Sequence, residues 1–103
     1  MGIFNKKKKK KNTNRGKFER IVVNGKALPV LNFYLFTASE DGKQYVELTS
    51  MEELPELHFT EVSMEIILST QKLTVKGSFV DAYPKGRFKI YKFQALDIHE
   101  YYI

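Results

Sequence analysis

The sequence predicts an all-β fold with one short helix: a small barrel of five or six strands behind a disordered basic arm. Three observations carry that expectation. Apolar residues recur at period two in short runs, most plainly Val62, Met64, Ile66 and Leu68, which is the repeat of a half-buried strand. The runs are rich in β-branched and aromatic residues, with 8 Phe and 6 Tyr, the side chains that suit a pleated surface. Turn signals separate the runs, at Asn24-Gly25, Glu40-Asp41-Gly42-Lys43 and Pro84-Lys85-Gly86. Many short strands with tight turns favour a closed or nearly closed barrel, because closure removes exposed edges.

The chain divides into residues 1–16, the arm, and residues 17–103, one small barrel domain. The arm holds six consecutive lysines, Lys6 to Lys11, and no acid. Like charges repel and no apolar face repeats, so nothing offsets the entropy of ordering it. FERIVV then runs into Asn24-Gly25, the strongest short hairpin signal, since a type I′ turn needs positive φ at both positions. Pro29 has no N–H for a ladder, so the return strand is edge-like or bulged there. FYLFTA and QYVELT flank the second turn and make a second hairpin. Ser50-Met51-Glu52-Glu53 fits a capping box, and Pro55 confines the helix to a short segment. VSMEIIL is a strand. LTVKGSFVDAY and RFKIYKFQALDI form a long hairpin about the third turn. HEYYI can still pair.

A net charge of +5 conceals two opposed parts. Residues 1–17 carry eight positive charges and no acid, while residues 18–103 carry nine positives against twelve acids, a net of −3. Within the body, Glu40 to Glu65 nets −7 and Lys72 to Lys92 nets +5. These two blocks are expected on different surfaces.

Catalytic constellations are scarce, and the expectation is that the chain is not an enzyme. There is no cysteine, which removes disulfides, thiolate metal sites and thiol nucleophiles. His58 and His99 stand in no metal-binding spacing, and no phosphate-cradling glycine loop or nucleophile elbow occurs. No metal and no cofactor are expected. No apolar run approaches a membrane span. The basic N-terminus lacks the apolar stretch and cleavage site of a secretory signal, so a cytoplasmic location is expected.

The last hairpin offers a binding surface. In LTVKGSF, Leu73, Val75, Gly77 and Phe79 share one face. In RFKIYKF, Phe88 and Ile90 are assigned to the core, and Arg87, Lys89 and Tyr91 to solvent. Lys76, Arg87, Lys89 and Tyr91 are then gathered outside, with Tyr83 and Lys85 at the loop. Cations interleaved with rings suit single-stranded nucleic acid: cations track phosphates, and rings stack on bases at roughly 1–3 kcal/mol each. The plainer reading is a lysine-bearing strand face that guards against edge pairing.

Residues Leu73, Val75, Gly77, Tyr83, Gly86, Tyr91, Ala95 and Ile98 resemble the last hairpin of OB-fold single-strand-binding proteins, over 27 of the 103 residues. The resemblance implies nucleic-acid contacts at Tyr83 to Gly86 and nearby strand faces. The strand count fits PUA-like RNA-binding barrels equally well.

Three readings of the lysine run compete. A flexible leader with the eight cations of residues 1–17 neutralises phosphates and releases counterions, giving salt-sensitive binding of RNA or single-stranded DNA. Ile3 and Phe4 before the lysines suit peripheral binding to an anionic membrane, at about 1 kcal/mol per lysine. Lys6 stands where a myristoylation signal needs Ser or Thr. In the third reading the arm solubilises a protein-binding adaptor whose interface is the acidic stretch at 40–65. The favoured reading is a non-catalytic accessory or regulatory protein binding RNA or single-stranded DNA through Lys6, Lys7, Lys8, Lys9, Lys10, Lys11, Lys76, Tyr83, Lys85, Arg87, Lys89 and Tyr91. The Lys- and Asn-rich opening fits a plasmid- or phage-borne protein of an AT-rich genome.

Overall fold

A computed structural model of the chain describes residues 17–58 and 61–102. The arm at 1–16 and its lysines lie outside the described residues. Among the described residues seven strands pair antiparallel in one sheet of order β2-β1-β5-β6-β7-β4-β3. In chain order they are β1 (Phe18–Val23), β2 (Lys26–Leu28), β3 (Val30–Thr37), β4 (Gln44–Ser50), β5 (Glu61–Leu68), β6 (Gln71–Lys85) and β7 (Phe88–Tyr102). The all-β class holds. The closed barrel does not, for β2 and β3 remain as the two edges of an open sheet.

Both edges belong to one stretch of chain. Before Pro29 that stretch pairs with β1, and after it with β4. Proline offers no ladder N–H, and a bulge follows between Val30 and Asn32. The sheet therefore curls until its edges are consecutive in sequence, but the ladder breaks where they meet.

The turns follow their sequence chemistry. Asn24 and Gly25 have φ of 51° and 85°, the positive pair that a type I′ hairpin needs. The Asn24 Oδ1 accepts the Ser63 N–H at 3.0 Å, and the Asn24 N–H donates to the Ser63 carbonyl at 2.8 Å. That turn is thus fastened to β5. The third turn falls one residue later than expected: Lys85 pairs with Phe88, leaving Gly86-Arg87 as a two-residue connection with Gly86 at φ 64°. His99 to Tyr102 of HEYYI do pair, and β7 runs to Tyr102.

The capping box is not one. Ser50 ends β4, buried, and its hydroxyl accepts the Glu52 N–H and donates to the Pro29 carbonyl. Only a single 3-10 turn follows, at Pro55–Leu57. Leu54 just before it and Leu57 at its end are buried, so the segment works as an apolar plug.

The core lies on the inner face of the curl. Val62, Met64, Ile66 and Leu68 on β5 are all buried, as are Leu73 and Val75 on β6 and Tyr91 and Phe93 on β7. Each fully buried aliphatic side chain contributes about 1.5–3 kcal/mol, which fixes the face each strand turns inward. Gly77 sits where β6 and β7 press together. A Cβ there would stand 2.8 Å from Met64 Cε and 3.1 Å from Phe93 Cβ.

The charged blocks interleave instead of forming separate surfaces, because β4 pairs with β7 and β5 with β6. Glu47 stands opposite Lys92, and Ser63 opposite Lys76 between Glu61 and Glu65. Glu53 and Lys89 make an ion pair at 3.0 Å, and Glu56 and Lys26 another at 2.9 Å. Among the described residues no helix is long and apolar enough to cross a membrane.

Candidate nucleic-acid interface

The hairpin residues singled out from sequence scatter. Lys76 points outward in mid-β6, opposite Ser63 on one side and Asp97 on the other. There it lines a shallow depression of about 280 Å³ with Glu65, Thr74, Asp97 and His99. The carboxylates beside it leave little net attraction for a phosphate. Lys85 lies nine residues further on, roughly 30 Å by strand rise, and is exposed at the tip with Arg87 in the turn.

On β7 the expected faces fail at Phe88 and Tyr91. Tyr91 is fully buried, 0% exposed, and its hydroxyl accepts the buried Leu54 N–H at 2.7 Å. It offers no surface to a ligand. Lys89 shares its side of the strand, at the margin of the core, held by Glu53. Phe88, expected inside, is exposed on the side of Lys92, whereas Ile90 is buried as expected, so Ile90 and Tyr91 are buried side by side. The alternation in RFKIYKF changes phase at Ile90-Tyr91, and the larger inward set Tyr91, Phe93 and Ala95 prevails.

Tyr83 does face outward, half-buried. Its hydroxyl donates to Glu47 Oε2 at 3.0 Å. Burial first, then that hydrogen bond, holds its phenol above the ordinary value of 10.0.

What the sequence reading missed stands beside Tyr83, on the outer face of β3, β4 and β7. Residues two apart on a strand share a face, so Tyr34 and Phe36 stack with centroids 5.0 Å apart at 21°. Phe36 is directly opposite Tyr45 on β4, and those rings stack at 5.8 Å and 25°. Lys92, reaching over from β7, places Nζ 4.7 Å from the Tyr45 centroid and 5.8 Å from that of Phe36. Such contacts contribute about 0.5–1 kcal/mol at exposed sites.

The row is held at its far end by the β3–β4 turn. The Tyr45 hydroxyl donates to Asp41 Oδ2 at 2.6 Å, and Asp41 Oδ1 accepts the Lys43 N–H at 2.9 Å. These bonds, that from Tyr45 foremost, keep the Asp41 carboxyl below its ordinary value, and the same bond raises the Tyr45 phenol. Tyr34 is the open end, 54% exposed. Lys92 stands between Glu47 on β4 and Asp81 on β6, so the ring row carries no strong net charge. The signal for it was present in FYLF and QYVEL: Tyr34, Phe36 and Tyr45 fall on the strand phase that Leu35, Val46 and Leu48 leave outside.

Among the described residues no group of three or more His, Asp or Glu is arranged to hold a metal. His99 Nε2 and Asp97 Oδ2 lie 3.3 Å apart, both well exposed, and such surface pairs contribute little. No protein-family model matches the chain, and no curated protein or solved structure shows significant similarity to it.

Proposed function

We propose that this chain is a non-catalytic binder of unpaired nucleic acid, RNA or single-stranded DNA, in an accessory or regulatory role. The observation that carries the reading is the unbroken outward row Tyr34–Phe36–Tyr45 with Lys92 laid over it. Aromatic rings on an open sheet face stack bases without regard to sequence, because every base has a π-face. The lysine run supplies the long-range attraction that a body of net −3 lacks.

The two parts are within reach of each other. The chain enters the sheet at Lys17, whose N–H donates to Ser69 Oγ at the β5–β6 turn. Phe36 and Tyr45 lie level with Gln94 and Ser78, nine residues along β6 from Ser69 and up to three strands across. That is roughly 35 Å, from strand rise and spacing. Lys6 stands eleven residues before Lys17, a stretch that can span at most about 40 Å. Tyr83, Lys85 and Arg87 extend the same face toward the hairpin tip.

Fluorescence anisotropy with labelled oligouridylate and oligothymidylate, over a salt series, tests both parts. Tyr34→Ala and Phe36→Ala should each weaken binding by about 5- to 100-fold, the equivalent of one lost stack, with the salt slope unchanged. Deleting residues 1–16 should weaken binding and flatten the slope. Unchanged affinity in both ring variants would remove the row from the interface.

A further inference from the structure

We infer that the open edge of β3 is a self-association strand, pairing antiparallel with β3 of a second copy about a two-fold axis at Leu35. This goes beyond nucleic-acid binding and does not rest on it. Consecutive residues of a strand turn their N–H and C=O groups to opposite sides. The Ala38 N–H donates to Lys43 of the hairpin at 2.9 Å, whereas the Phe33 N–H turns away and is held by its neighbour's Asn32 Oδ1 at 2.8 Å. Phe33, Leu35 and Thr37 therefore present their backbone groups to the open edge.

That edge lacks the usual guards. Val30–Thr37 contains no charged residue, and Leu31 is 52% exposed. The opposite edge, β2, has only three residues, begins with Lys26 and stops at Pro29. Long uncharged edges are templates for another strand.

Three features of β3 select a second copy as the occupant. Self-pairing sets Leu35 against itself and Phe33 against the second copy's Thr37, so no like charges meet. On the outer face it sets Tyr34 against the second copy's Phe36, which continues the ring row from one molecule into the next. Past Thr37, the second copy's chain enters its turn with Glu40 and Asp41. That turn heads along β3 beyond Phe33, whose ring lies 5.7 Å from Phe18, where Lys17, Glu19 and Arg20 at the start of β1 carry one net positive charge. The charges there are complementary. Five paired residues make a contact smaller than the standard of about 800 Å² per partner, so the dimer dissociates in the micromolar range.

Sedimentation equilibrium of the full chain without nucleic acid, at about 0.15 M salt, tests the inference. The chain should show a concentration-dependent monomer–dimer equilibrium. Thr37→Pro removes an outward N–H and no ladder bond, a position where an edge strand tolerates proline. It should raise the dissociation constant at least tenfold with an unchanged far-UV spectrum. Leu35→Cys places a thiol in a chain that has no other, and mild oxidation should give a disulfide-linked dimer. A chain that stays monomeric at every concentration overturns the inference. So does a dimer in which Leu35→Cys fails to cross-link. Neither result touches the base-stacking reading, which is measured on the monomer's rings.

Discussion

The buried N–H of Leu54 donates to the Tyr91 hydroxyl at 2.7 Å, and that bond shows what the tyrosine is for. A polar tip on a core ring is tolerated only where it finds a partner, and here the partner is the plug that closes the core. Tyr91→Phe keeps the ring and strips the oxygen. The Leu54 N–H is then buried without an acceptor, at a cost of about 1–3 kcal/mol. Urea unfolding should show a lowered midpoint at unchanged m-value. Tyr34→Phe, which alters an exposed hydroxyl, should leave the midpoint where it was. The six tyrosines thus divide by environment: Tyr91 is structural, Tyr83 and Tyr45 are tethered to Glu47 and Asp41, and Tyr34, Tyr101 and Tyr102 are exposed. Composition counts them alike.

At the scale of elements, hairpins were readable because their turns depend on local backbone chemistry. Asn24-Gly25 adopts the positive φ pair expected of it, and Gly25 stands at 85° with open space around its α-carbon. Gly25→Ala meets no clash, so any loss comes from the backbone alone. A loss of about 1–2 kcal/mol is expected for a side chain held in the left-handed region, seen as a lower melting temperature. The long β6–β7 hairpin was readable as a hairpin, and so was the inward face of β6 at Leu73, Val75, Gly77 and Phe79; the faces of β7 were not. Register shifts leave Val80 on β6 and Leu96 on β7 unpaired and change the phase there, while at Ile90 and Tyr91 two successive residues are buried, which no alternating pattern signals. The capping box failed for a related reason. Ser50 was already committed to a strand, and its hydroxyl serves a bend that returns to Pro29.

For the whole molecule, the curled sheet links distant groups into one response to alkali. Tyr83 on β6 and Glu47 on β4 meet across β7, and the fold favours the protonated phenol. A raised folded pKa contributes stability that is complete below the phenol's ordinary 10.0 and is lost as pH rises through the folded value. Tyr45 with Asp41 acts in the same direction. Thermal stability should therefore fall as pH climbs above about 10, and Tyr83→Phe should flatten that fall. A decline of equal steepness in Tyr83→Phe would mean that the phenol does not sense the fold.

The amino-acid order alone determined the strand class, the three connections between hairpin strands, the period-two face of β5 and the segregation of positive charge into the first 17 residues. Each depends on neighbours one to four positions away: backbone sterics at Asn-Gly, alternation along a strand, the missing N–H of proline. Tertiary structure decided the rest. It chose which phase of β7 lies inside, because only the assembled core brings Leu54 to Tyr91. It wove the acidic and basic stretches together, because strand order is a property of the sheet. It also left the sheet open at Pro29 and set Tyr34, Phe36 and Tyr45 in one row, since two of those rings share a strand but the third arrives only through cross-strand register.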